Sequence, residues 1–216
     1  MQWKDYSHLK GSHAFCGASN CSWRNYDVEK LLLAKERSYA TTIGTKLHEY
    51  AAANIAEKFK ILKTDKRSIL RFLTVENHIP QSAVDIDRLF PNLMNYVNDM
   101  ISFRMDPEVV LYYSPDFYGT TDAISYENDV LRIADLKTGV TPASFVQLEN
   151  YAAFFCLNYK VKPSQLKKLE FRIYQNNEIM CAEPNPEIIS PIINQIITFN
   201  NVLMDVEGVT RNEHTT

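Results

Sequence analysis

Apolar residues recur along this chain first at helical spacing and then at alternating spacing, and the change of period divides it. Residues 26–38 predict a short helix. Leu47, Ala51, Ile55, Phe59 and Leu62 share one helical face, so a second helix runs through His48 to about residue 62, with Thr41 or Thr42 as its N-cap. Further helices are predicted over 67–73 and 85–105. The period then shortens to two, and 109–113, 119–126 and 130–137 predict three strands, with Ser114-Pro115-Asp116 and Asn128-Asp129 at the turns. Asn128 and Asp129 both tolerate positive φ, as a two-residue hairpin turn requires. Thr141 caps a helix with Pro142 in its first turn, running to about residue 159. A second hairpin, 169–174 and 178–182, turns at Asn176-Asn177, and 187–205 is the last helix. The polar tail 210–216 is expected to fray. This order predicts an α/β chain, a mixed sheet flanked by helices. With no linker, composition break or repeat, residues 1–216 form one domain: a helical part to about 106, a sheet core over 107–206 and a tail from 207.

The first tight hairpin places charged groups together. If Glu127 pairs with Val130, register sets Ile124 opposite Ile133 and Asp122 opposite Asp135, with two carboxylates about 5 Å apart at Cβ. Asp135 and Lys137 leave the same face of their strand, which also carries Leu131 and Ile133. Facing carboxylates on a core-directed row repel and lose solvation, and a bound cation is the usual compensation. The competing reading is a surface hairpin, shifted by one residue, in which Asp135 and Lys137 are solvated. The flanks favour the first: Gly119 stands three residues before Asp122, an apolar run leads into Asp135, and Lys137-Thr138-Gly139 follows.

On these residues the chain resembles the PD-(D/E)XK nuclease superfamily, in its RecB-like exonuclease branch, and within it the small phage-encoded exonucleases. Gly44-Thr45-Lys46-Leu47-His48-Glu49 looks like that branch's G-x-x-x-H helix motif, and Gln147-Leu148-Glu149-Asn150-Tyr151 like its Q-x-x-x-Y motif. The likeness extends to His13-Ala14-Phe15 and Trp23-Arg24-Asn25-Tyr26-Asp27, and spans about residues 13–205. It implies a restriction-endonuclease-like core and a metal-dependent DNA exonuclease serving phage recombination, replication or end processing. It further implies Asp122, Asp135 and Lys137 as catalytic residues. His48, Asp122, Asp135 and the backbone carbonyl of Leu136 would hold Mg²⁺ or Mn²⁺. Gln147 and Tyr151 would buttress Lys137 or touch the DNA backbone. Taken alone, His48 is better explained as a satisfied core histidine, and the full motif set reverses that; Gln147 and Tyr151, taken singly, are as well explained as a surface glutamine and a structural tyrosine. Thr120, opposite Lys137 in the proposed register, and Thr138 would support the site with hydroxyls, and Glu49 is a solvated or supporting acid.

Composition narrows the classes. At 216 residues and 45% hydrophobic, the chain can bury a sizeable core. A net charge of −3 argues against wrapping long DNA on a broad basic surface, although a metal site reverses the sign locally. Basic stretches over 24–37 and 58–67 face phosphates or simply solvent. No apolar run reaches membrane-spanning length, and the polar start is unlike a signal peptide, so a cytoplasmic location is expected, that of a bacterial host if the chain is phage-encoded. Relatives with an iron–sulfur cluster carry three cysteines near the C-terminus. This chain has only Cys16, Cys21, Cys156 and Cys181, so no cluster is expected, and Cys156 and Cys181 are taken as core thiols. The expected partner is DNA, as a linear duplex or a single-stranded end, with no membrane. A homo-oligomer and a single-strand-annealing or replication partner stay open. An endonuclease of the same fold, or an inactive fold that binds DNA or protein, are the alternatives. Trp23, Tyr26 and Tyr39 serve either to stack on bases or to pack the core.

Overall fold

The computed structural model describes residues 14–16, 18 and 21–213. His13 and residues 214–216 of the tail lie outside them. Helix α1 (Val28–Ala56) starts where Asp27 accepts a hydrogen bond from the Lys30 N–H at 2.7 Å. The break expected at Thr41 does not occur. Thr41, Thr42 and Thr45 turn their hydroxyls back onto the carbonyls of Arg37, Ser38 and Thr41, so they are satisfied inside one continuous helix. Ile43, Leu47, Ala51 and Ile55 form its buried stripe. The helix ends before Phe59 and Leu62, which are exposed, and Lys58 takes a left-handed conformation with φ 60°. Helix α2 (Lys66–Arg71) and helix α3 (Ile86–Ser102, capped by Asp85) follow, close to the expected ranges.

Strands β1 (Asp106–Ser114), β2 (Phe117–Glu127), β3 (Val130–Leu136), β4 (Lys168–Gln175) and β5 (Glu178–Ala182) make one mixed sheet in the order β1-β2-β3-β4-β5. Only the β3–β4 pair is parallel, because helix α4 (Val146–Tyr159) crosses over between them. Asn128, Asp129, Asn176 and Asn177 all have positive φ, as the two tight turns require. On one face Ala123, Ala134, Leu136 and Tyr174 pack with Leu47 and Ala51 of α1 and Val97 of α3. On the other, Leu131, Ile133, Phe171 and Ile173 pack with Leu148 and Ala152 of α4 and with Ile196 of helix α5 (Ile189–Glu213). Each fully buried Leu or Ile contributes about 1.5–3 kcal/mol, so the two layers fix the sheet between them. The tail's residues 210–213 continue α5 rather than fraying.

Helix α4 begins later than the Thr141 cap suggests. Gln175 of β4, buried in the sheet, donates to the carbonyls of Gly139 and Thr141 and accepts from the Ala143 N–H. These bonds satisfy the backbone of 139–143 in a non-helical path. Cys156 is buried in α4, where desolvation pushes its thiol up to about 11, whereas Cys181 is exposed and is not a core thiol. No helix among the described residues is long and apolar enough to cross a membrane.

Candidate metal centre

The β2–β3 ladder follows the predicted register from Glu127–Val130 through Ile124–Ile133 to Ala123–Ala134 and stops one step before Asp122 and Asp135. At that step the Asp122 side chain enters the gap. Its Oδ2 accepts the Leu136 N–H at 2.9 Å, and its Oδ1 lies 3.2 Å from His48 Nδ1 on α1. Leu136 therefore meets Asp122 through its amide. Because the β2–β3 ladder has ended, Thr120 is not opposite Lys137. It is exposed and pairs with Val110 of β1.

The alternation of faces along β2 breaks at this point. A methyl group at Gly119 would come within 2.9 Å of Tyr151 on α4, and Ile124 packs into the α4 core five residues later, an odd interval on one face. Asp122 lies between them, and the break frees it to face His48 on α1. Strand β1 bends in step. Pro107–Ala123 and Val109–Thr121 pair on either side of Glu108, which stands opposite Asp122 with φ 51°. A left-handed non-glycine residue inside a strand costs roughly 1–2 kcal/mol and persists only where its surroundings impose it. The result is a group in which one ligand atom each from His48, Glu108 and Asp122 lies within 4.8 Å of the others. They line an open cleft of about 620 Å³ with Gly44, Thr45, Glu49 and Ala52.

Asp135 is outside that trio but electrostatically tied to it. Its carboxylate is 3% exposed; Oδ1 accepts from Lys137 Nζ at 2.9 Å, and Oδ2 is buried without a hydrogen-bond partner among the described residues. Burial first, then the Asp122 charge, hold this carboxyl above the usual carboxylate range, against the pull of Lys137. Glu108 is raised for the same reasons, burial and then Asp122. Burial opposes protonation of His48, yet the hydrogen bond and charge of Asp122, with Asp135 and Glu108 behind it, raise its value overall. Lys137 Nζ also donates to Gln147 Oε1 at 2.8 Å, and Gln147 Nε2 donates to the Tyr151 hydroxyl at 3.0 Å. Gln147 and Tyr151, one helical turn apart, thus hold the lysine from α4.

The two carboxylates and the imidazole of His48, Glu108 and Asp122 form a donor set suited to a hard divalent cation, with the buried Asp135 carboxylate electrostatically coupled to it. The remaining candidates sit at the margin. Glu49 is exposed and paired with Lys46 at 2.6 Å. The Thr138 hydroxyl stands 3.0 Å from where a Gly44 side chain would begin, so glycine lets α1 pass close to the segment after Lys137. Arg88 Nη1 donates to the Thr138 carbonyl at 2.8 Å and steadies the segment after Lys137.

Glu108 and Arg88 were not foreseen from the sequence. Counting back evenly from the Pro115-Asp116 turn puts Glu108 opposite Ala123. A register shift between Tyr112 and Ser114 moves it opposite Asp122. No protein-family model, curated protein or solved structure matches this chain.

Proposed function

We propose that this chain is a divalent-metal-dependent deoxyribonuclease with a PD-(D/E)XK core, acting as an exonuclease on DNA ends. The observation that carries the proposal is the Asp135 carboxylate, buried with one oxygen on Lys137, the other without a hydrogen-bond partner among the described residues, and held above the usual carboxylate range by burial and then by the charge of Asp122 in the His48–Glu108–Asp122 group. Asp122, Glu108, His48 and Asp135 are the residues that would hold Mg²⁺ or Mn²⁺. When bound, the ion supplies Lewis acidity and a water ionised near neutral pH.

The protein's own groups do the positioning. The Leu136 amide fixes one oxygen of Asp122, so its other oxygen is directed at the cleft. Lys137, held between Asp135 and Gln147, orients the attacking water by hydrogen bonding and stabilises the negative charge that grows on the phosphoryl oxygens. Gln147 and Tyr151 restrict the lysine to that position.

The test is digestion of end-labelled linear duplex and of covalently closed duplex with Mg²⁺ or Mn²⁺, beside Asp135→Ala. Degradation of the linear form alone, lost in the variant, is the expected result. Cleavage of both forms assigns an endonuclease. Cleavage of neither overturns the enzymatic proposal.

A further inference from the structure

Beyond the acids, the β1–β2 hairpin continues as a ribbon with two unlike faces. Leu111 is buried in the α4 core opposite Gly119, where Tyr151 fills the space of the missing side chain. The residues between therefore point to the other side. They are the pairs Val110–Thr120 and Tyr112–Tyr118, two and four residues from the Glu108–Asp122 pair that gathers with His48.

Among the described residues this side is open. Tyr112 is 49% exposed and Tyr118 59%, with ring centroids 6.2 Å apart and planes inclined at 33°. Of the aromatics weighed for stacking, Tyr39 packs against the α1–α3 core and Lys30 lies over Tyr26. Tyr112 and Tyr118 form a cross-strand aromatic pair on the sheet surface, with ring faces left in water.

We infer that Tyr112 and Tyr118 form a stacking platform for unpaired nucleobases of the strand cut at the acidic centre. This rests on the nuclease proposal and adds a substrate class, single-stranded DNA next to the cleaved bond. Four residues of strand span about 13 Å, within reach of the next few nucleotides. Val110 and Thr120, which lie between, are uncharged, so an anionic strand is not repelled on the way. Neither strand carries a lysine or arginine on this ribbon, so the contact is with base faces rather than phosphates.

The test is binding of a fluorescent short oligothymidylate in EDTA, where no cleavage occurs, beside an abasic strand of equal length. Wild type is expected to prefer the base-bearing strand by roughly tenfold or more, since stacking contributes about 1–3 kcal/mol per base. Tyr112→Ala/Tyr118→Ala should abolish the preference, and Tyr112→Phe/Tyr118→Phe should retain it. Hydrolysis of bis(p-nitrophenyl) phosphate, which has no nucleobase, should be unchanged in both variants. Equal affinity of wild type for the two strands overturns the platform, and because it uses the unmodified chain it does so even if the alanine variant fails to fold. A base preference without any hydrolysis leaves the platform standing and removes the nuclease. If the alanine variant instead falls from dimer to monomer with DNA binding intact, the patch belongs to a second copy of the chain, and the inference is wrong.

Discussion

Asp135 and Lys137, two residues apart at the end of β3, meet at 2.9 Å, and the carboxylate oxygen turned away from the lysine has no hydrogen-bond partner among the described residues. An acid so placed is held on one side by the lysine and on the other feels the Asp122 charge from within the protein. Loss of either residue should therefore remove chemistry rather than fold.

For Asp135→Ala and Lys137→Ala, we expect cleavage to fall by roughly 10²–10⁴ with near-native circular dichroism. Gln147→Ala, which only frees the lysine, should cost less. Wild-type rates in either of the first two variants would remove them from the active site.

Asp135 also sets a pH dependence for the metal-free protein. Its native value is raised, so the ionisation penalty is absent below the unfolded value near ~3.9, grows as pH rises toward the native value, and is complete above it. In EDTA at neutral pH, Asp135→Asn should melt above wild type, by about 2–4 °C per kcal/mol relieved, and the two should converge in acid. Adding Mn²⁺ to a hundred times its Kd should stabilise wild type by about 2.7 kcal/mol and the variant by less. Parallel melting curves at every pH, with equal metal shifts, would show that this carboxylate neither strains the fold nor meets a cation.

Glu108 separates stability from binding within one position. Glu108→Gly removes a left-handed non-glycine residue and should stabilise the metal-free protein by about 1 kcal/mol while weakening Mn²⁺ binding. Glu108→Ala should weaken binding equally without the gain. Titration calorimetry and melting of both variants decide it, and unchanged Mn²⁺ affinity would exclude Glu108 as a ligand.

His48→Ala should raise the metal requirement more than it lowers stability, so that excess Mn²⁺ restores part of the activity. The imidazole is 28% exposed and its contact is with Asp122, which is unlike a buried core histidine. Unfolding without a change in metal requirement would restore the core reading.

The hairpin register from Glu127–Val130 to Ala123–Ala134 was legible from the Asn128-Asp129 turn and the alternation of Ile124, Ile133 and Leu131, whereas the turn of Asp122 towards His48 was not, since the alternation breaks there. The helix bearing His48 was legible from its apolar spacing, but its length was not, since three threonines that look like caps bond backwards instead. Glu108 stayed hidden because a bulge near Ser114 and its own φ both depart from regular strand geometry. Gln175 stayed hidden because a buried glutamine gives no periodic signal, and its bonds are to backbone groups over thirty residues earlier.

That glutamine gives the segment after Lys137 an unusual status. Residues 139–143 have no helix or strand of their own, yet two of their carbonyls and one amide end on a side chain rooted in β4. The Ala143 amide proton should then exchange with solvent only when β4 itself opens, on the timescale of the sheet rather than of a surface loop. Chemistry at Lys137 would thus run on a segment that looks like a loop and keeps the kinetics of the core.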